Sequence, residues 1–119
     1  MAKEILVVDD QAGIRLLLED VLTNEGYQVK TVATGKEALE LIERHVFDMI
    51  VLDYRLPVYN GIYILQWLEE RAIDTPVIVM TGMEDAAKNE ISKTGIQVDV
   101  LGKPFNIVDL CTIVKDKVN

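Results

Sequence analysis

Three short apolar runs decide what this chain can become: Ile5-Leu6-Val7-Val8, Met49-Ile50-Val51-Leu52 and Val77-Ile78-Val79-Met80. Each is rich in β-branched residues and each ends at a polar residue, Asp9, Asp53 or Thr81. Apolar runs of this length without polar alternation read as strands buried on both faces, which require a covering layer on either side. The covering layers are present in the sequence as helical periodicity. Ile14, Leu17, Leu18, Val21 and Leu22 fall at i, i+3, i+4, i+7 and i+8 and stop at Gly26, defining a first helix with these residues inward. Thr34-Gly35-Lys36-Glu37 has capping-box spacing and opens a second helix that points Ala38, Leu39 and Ile42 to the core. Pro57 to Gly61 breaks the chain before a third helix containing Leu65 and Leu68. A weak fourth helix spans Glu84 to Thr94, with Ala86, Ala87 and Ile91 as its only apolar residues, so it is the most loosely anchored. Asn106 caps a fifth, with Ile107, Leu110, Cys111, Val114 and Val118 on one face.

Two further strands, Gln28 to Val32 and Val98 to Leu101, mix polar and apolar residues as half-solvated edge strands do. They flank the three buried ones. Strand and helix alternating five times implies a doubly wound α/β domain, (βα)5, with a parallel five-stranded sheet and right-handed crossovers. The whole chain, 1–119, is expected to be one such domain.

A parallel sheet brings all strand ends of one sense to one edge, where ligands of open α/β sheets bind. The residues just beyond the strands are Asp9 and Asp10, Asp53, Thr81 and Lys103. If the first and third strands are adjacent across a topological switch point, three carboxylates meet in one shallow crevice. Their mutual repulsion, about 4 kcal/mol per pair at 4 Å and intermediate dielectric, calls for a cation. Lys103 supplies one charge, and a divalent ion is the natural source of the rest. Oxygen-only ligands without nearby His or Cys suit Mg²⁺ or Mn²⁺ rather than zinc. A metal held by carboxylates with open positions commonly serves phosphoryl chemistry, in which an Asp can be the nucleophile. Thr81 and Lys103 then offer a hydroxyl and an ammonium group to the phosphoryl oxygens. The bland readings are a helix-capping role for Asp9 and Asp10, a turn role for Asp53, a helix cap for Thr81 and an ordinary loop lysine for Lys103. The convergence of all five at one sheet edge outweighs them.

Composition narrows the setting. With 12 Lys and Arg against 20 Asp and Glu, the net charge is −8, and no basic run is present to attract nucleic acid or anionic lipid. No apolar run is long enough to span a bilayer, no secretory signal opens the chain, and the single cysteine, Cys111, has no internal partner. A cytoplasmic monomer that binds neither nucleic acid nor membrane is the expectation. Cys111 and Trp67 read as core, and His45 as a C-terminal cation of the second helix or a solvated residue. Arg15, Lys30 and Lys36 read as a solvated face. Tyr54, Tyr59 and Tyr63 are left open between packing and a partner surface.

Taken together, Val7-Val8-Asp9-Asp10, Leu52-Asp53 with Pro57 and Gly61, Met80-Thr81-Gly82 and Lys103-Pro104-Phe105 resemble, in order and spacing, the receiver domains of two-component response regulators. The resemblance covers essentially the whole chain and implies the flavodoxin-like receiver topology, with strand order 2-1-3-4-5. It implies that Asp53 accepts a phosphoryl group from a phosphohistidine of a sensor histidine kinase. Asp10, Asp53 and the backbone carbonyl of Arg55 would bind Mg²⁺ directly and Asp9 through water, while Thr81 and Lys103 would contact the phosphoryl oxygens. The Lys103-Pro104 bond would be cis, a form accessible to proline. Val8-Asp9-Asp10-Gln11, Gly13-Ile14-Arg15, Leu17-Leu18 and Glu25-Gly26-Tyr27 are similar to the stand-alone phosphorelay intermediates of sporulation. These hand phosphate to a histidine phosphotransferase. Kinase and phosphotransferase would dock on the first helix and the loops around Asp53, with an aspartyl-phosphate phosphatase as a further partner. Leu17 and Leu18 would face the core, with several of Gln11, Gly13, Ile14 and Arg15 toward the partner. Self-phosphorylation without independent turnover of a small molecule is implied.

The chain departs from the family pattern in three places. Val100 stands where Tyr, Phe or His usually acts as a rotameric switch, so a Tyr-Thr switch is not available. The stretch Gly95 to Lys103 is one residue longer than usual, with Ile96 in place of a small residue, implying a differently shaped loop. Arg55 and Met83 stand two residues beyond Asp53 and Thr81, where side chains shield or admit hydrolytic water, and both are expected to affect phosphoryl lifetime. Two alternatives remain beside the relay: an excised receiver of a larger DNA-binding regulator, and a Mg²⁺-dependent phosphatase working through an aspartyl-phosphate. The phosphatase generally needs a second Asp two residues after the nucleophile, and Asp53-Tyr54-Arg55 lacks it. A flavin carrier of this topology needs hydroxyl and amide donors after the first strand, where this chain is acidic.

Overall fold

A computed structural model describes residues 2–118. The elements run β1 (Glu4–Val8), α1 (Ala12–Asn24), β2 (Gln28–Val32), α2 (Gly35–Arg44), β3 (Met49–Asp53), α3 (Gly61–Glu70), β4 (Val77–Thr81), α4 (Glu84–Ser92), β5 (Asp99–Gly102) and α5 (Ile107–Val118). The five strands form one parallel sheet in the order β2-β1-β3-β4-β5, as expected.

Alternation along the central strands divides the core between the two faces. Leu6, Val8, Ile50, Leu52, Val77 and Val79 pack with Ala38, Leu39 and Ile42 of α2, Ile64, Leu65 and Leu68 of α3, and Ile91 of α4. The opposite side chains, Ile5, Val7, Met49, Val51, Ile78 and Met80, pack with Leu18 and Leu22 of α1 and Leu110, Val114 and Val118 of α5. Every residue of β3 and β4 is buried, because helices cover both faces there. β2 at the edge alternates exposure with partial burial until Val32.

Side chains cap the starts of α2, α3 and α5. Thr34 Oγ1 accepts the Glu37 N–H at 3.1 Å while Glu37 Oε1 accepts the Ala33 N–H at 3.3 Å. Asn60 Oδ1 accepts from Tyr63 N–H and Asn106 Oδ1 from Val108 N–H. Trp67 is buried, as expected, with the Arg71 guanidinium 3.9 Å over its ring.

Some faces differ from their periodicity. Of the first helix's apolar stripe only Leu18 and Leu22 are fully enclosed, and Leu17 is 38% exposed beside a 70% exposed Leu16. A thirteen-residue helix seated on the sheet by one edge turns part of a five-residue stripe past the core boundary. On α5, Leu110, Val114 and Val118 are buried, but Ile107 is exposed and Cys111 only half-buried, so Cys111 borders the core instead of belonging to it. His45 follows α2 and sits 2.7 Å from the Glu4 carboxylate, a partner in β1 that its place at the end of the second helix did not reveal.

Candidate functional site at the carboxyl edge of the sheet

Register brings the predicted residues together. Val8 of β1 pairs with Leu52 of β3, Asp53 with Met80 of β4, and Thr81 with Gly102 of β5, so Asp9, Asp10, Asp53, Thr81 and Lys103 leave the sheet along one line. Carboxylate oxygens of Asp9, Asp10 and Asp53 lie within 4.8 Å of one another.

Asp9 is completely buried and fully engaged. Its Oδ1 accepts the Gln11 N–H at 2.9 Å, its Oδ2 accepts from Lys103 Nζ at 2.9 Å, and its carbonyl accepts from Arg15 Nη1 at 2.8 Å. Asp9 does not cap α1, whose N-cap residue is Gln11; its carboxylate instead braces the turn ahead of the helix while also meeting the lysine. Asp10 is exposed beside it, and no side-chain hydrogen bond occupies its carboxylate among the described residues.

Asp53 ends β3 at 6% exposure, with Lys103 Nζ 3.5 Å from its Oδ1 and the Arg55 N–H at 3.4 Å. Burial, reinforced by the Asp9 charge, pushes its carboxyl up to about 6, although Lys103 and the Arg55 N–H pull the other way. Lys103 therefore offsets only part of the cluster. Thr81 is buried at the end of β4; its Oγ1 accepts the Met83 N–H at 3.0 Å and its carbonyl accepts the Lys103 N–H at 2.7 Å. The Lys103-Pro104 peptide is cis, as expected.

Three carboxylates without His or Cys form a hard, oxygen-only donor set with surplus negative charge, which fits a small divalent cation such as Mg²⁺. Above the site, Arg55 Nη2 lies 3.7 Å from Met83 Sδ, so the two residues flanking Asp53 and Thr81 touch. Val100 is half-buried against the core and pairs with Val79.

Two features of the site escaped sequence reasoning. Arg15 is not on a solvated face; it reaches back six residues to a backbone carbonyl, a bond that leaves no side-chain pairing to read in the sequence. Tyr54, next to Asp53, donates its hydroxyl to Glu90 of α4. Tyr59 and Tyr63, also left open, stack with centroids 4.5 Å apart on the surface beside the β3–α3 loop.

A five-stranded parallel sheet of this order with an acidic crevice at its carboxyl edge defines a class, and the chain belongs to the response regulator receiver domain family, which matches residues 5–115. Among curated relatives it is similar to Sporulation initiation phosphotransferase F of Bacillus subtilis, 36% identical over 97% of this chain and 93% of that protein. It is also similar to Regulatory protein VanR of Enterococcus faecium, 37% identical over 97% of this chain but 49% of that protein. The chain spans less than half the length of that regulator. Among solved structures, the receiver domain of Francisella response regulator 1452 aligns with a TM-score of 0.89 at 32% identity, covering 98% of this chain and 96% of that one. The receiver domain of the sensor histidine kinase PA1611 of Pseudomonas aeruginosa, which has a magnesium ion coordinated in its active site cleft, aligns at 0.85 and 31% identity, covering 99% and 98%. No helix among the described residues is long and apolar enough to cross a membrane.

Proposed function

We propose that this chain, residues 1–119, is a cytoplasmic receiver unit that takes a phosphoryl group from a phosphohistidine of a sensor histidine kinase onto Asp53 and passes it to a histidine phosphotransferase. The observation that carries this reading is Lys103 Nζ bridging Asp9 at 2.9 Å and Asp53 at 3.5 Å within a cluster of three carboxylates. A carboxylate oxygen of Asp53 forms the new O–P bond as the P–N bond breaks, the electron pair staying on the imidazole nitrogen, which takes up a proton. Lys103 and the Thr81 hydroxyl hold the phosphoryl oxygens. Asp10, Asp53 and the Arg55 carbonyl would hold Mg²⁺ (or Mn²⁺), with Asp9 through water. That Gln11 and Lys103 fill the Asp9 carboxylate, while no side-chain hydrogen bond occupies that of Asp10 among the described residues, supports this division. When bound, the ion supplies positive charge that offsets the acidic cluster and the incoming phosphoryl oxygens.

Exposed apolar side chains occur on the elements that border this edge: Leu16 and Leu17 on α1, Met83 after β4, Ile107 and Val108 on α5. They supply the surface on which a helical-bundle partner presents its histidine to Asp53, and the same surface serves an aspartyl-phosphate phosphatase. The chain acts as a monomer, without nucleic acid. Arg55 and Met83, which touch each other two residues beyond Asp53 and Thr81, set phosphoryl lifetime.

Similarity over 93% of the sporulation phosphotransferase supports the relay, and the match to 49% of a longer regulator supports a second reading, a receiver unit that regulates an attached output domain. Mixing the phosphorylated chain with a histidine phosphotransferase separates them. The relay predicts that label leaves Asp53 for histidine within seconds and returns when phosphohistidine is in excess; label that stays on the chain until it hydrolyses favours the regulator.

A further inference from the structure

Arg15 is the one cation on α1, and the function just proposed does not use it. Its Nη1 donates to the Asp9 carbonyl at 2.8 Å, and that carbonyl belongs to the peptide unit joining Asp9 to Asp10. The Asp9 N–H is held by the Val32 carbonyl at 3.2 Å, and Asp9 Oδ1 takes the Gln11 N–H at 2.9 Å, two residues on. Peptide units on both sides of Asp10 are thereby fixed. Asp10 itself is exposed, and nothing else among the described residues orients it by a side-chain bond.

We infer that Arg15 is a positioning residue for the metal site: by fixing the Asp9–Asp10 peptide it aims the Asp10 carboxylate at Asp53. The inference rests on the proposed metal-binding reading. Geometry and charge make opposite predictions for this residue. A guanidinium beside an acidic cluster repels a second cation, so if charge alone mattered, removing it would tighten divalent binding. Loss of an outer partner that orients a ligand weakens binding, typically by about tenfold or more. The sign of the change therefore identifies the role.

The test is Mn²⁺ affinity, read from the electron paramagnetic resonance of free Mn²⁺ without any phosphoryl donor, well below each variant's unfolding midpoint. Arg15→Gln is expected to raise Kd about tenfold despite removing a positive charge. Arg15→Lys, which keeps a donor and the charge, is expected to stay within about threefold of the parent. An unchanged or lowered Kd in Arg15→Gln overturns the inference, as does an equal loss in both variants. Arg15→Met is the second neutral variant should the glutamine chain not fold. A parent chain that takes up no Mn²⁺ would instead overturn the metal reading beneath it.

Discussion

Asp53 is held in a crevice that disfavours its own ionisation. Burial, then the Asp9 charge, raises its carboxyl from the ordinary 3.8 to about 6. The folded state thus binds this proton more tightly than the unfolded state does. The resulting stability is fully present below about pH 4 and is lost as pH rises through about 6. Ionised Asp53 then costs up to about 3 kcal/mol at pH 7.5. Asp53→Asn, neutral at every pH, is expected to raise the urea midpoint at pH 7.5 in chelator and to lose most of that gain at pH 4. A gain of equal size at both pH values would contradict the assignment. Added Mg²⁺ should stabilise the parent in proportion to RT ln(1 + [Mg²⁺]/Kd) and leave the Asp53→Asn chain much less affected. The same shift bears on reactivity, because only ionised Asp53 is a nucleophile. Without metal, phosphorylation should fall as pH drops through about 6, and bound Mg²⁺ should move that fall to lower pH.

Among the elements, α2 and α1 make opposite demands on glycine. Gly35 opens α2 against the β3–α3 loop, where a Cβ would overlap the Tyr59 carbonyl oxygen. That loop carries Val58 and Tyr59 at φ 48° and 68°, so it is already held in a left-handed conformation. Gly35→Ala is expected to lower the unfolding free energy by about 2–3 kcal/mol, because backbone has to move. Gly13 on α1 has nothing within 4 Å of such a Cβ, and Gly13→Ala is expected to stabilise by about 0.5 kcal/mol. Paired denaturant titrations check both, and the two changes should carry opposite signs. α4 buries only Ala87 and Ile91, and its ties to the rest include the Tyr54 hydroxyl on Glu90. Its amides should show the least exchange protection of the five helices, and Glu90→Ala should lower it further. The strands were legible because period and composition agree over runs too short for a helix, and the edge strands because they mix polar and apolar residues, although β5 spans Asp99–Gly102 and so begins one residue after Val98. Helix faces were less legible at their margins. Period alone does not say where the core ends, which is why Leu17 and Cys111 emerge further from it than their spacing implies.

At the scale of the molecule, the site was legible because a parallel sheet turns positions far apart in sequence into neighbours. Asp9 and Lys103, 94 residues apart, meet at 2.9 Å for that reason alone. Composition and spacing alone could not separate the members of the cluster, and only the family resemblance assigned them different roles. Asp9 and Asp10 are adjacent and chemically identical, and only the fold reveals that Gln11 and Lys103 occupy the first while, among the described residues, no side-chain hydrogen bond occupies the second. Arg15 was invisible for a related reason, since its acceptor is a carbonyl that every residue possesses.

The central claim is that Asp53 is a metal-assisted phosphoryl acceptor, and intact mass after incubation with acetyl phosphate tests it most directly. One acid-stable, base-labile phosphoryl group per chain is expected with Mg²⁺, little without it, and none in Asp53→Asn. Label that persists in the Asp53→Asn chain, or that forms equally well in chelator, would contradict the account.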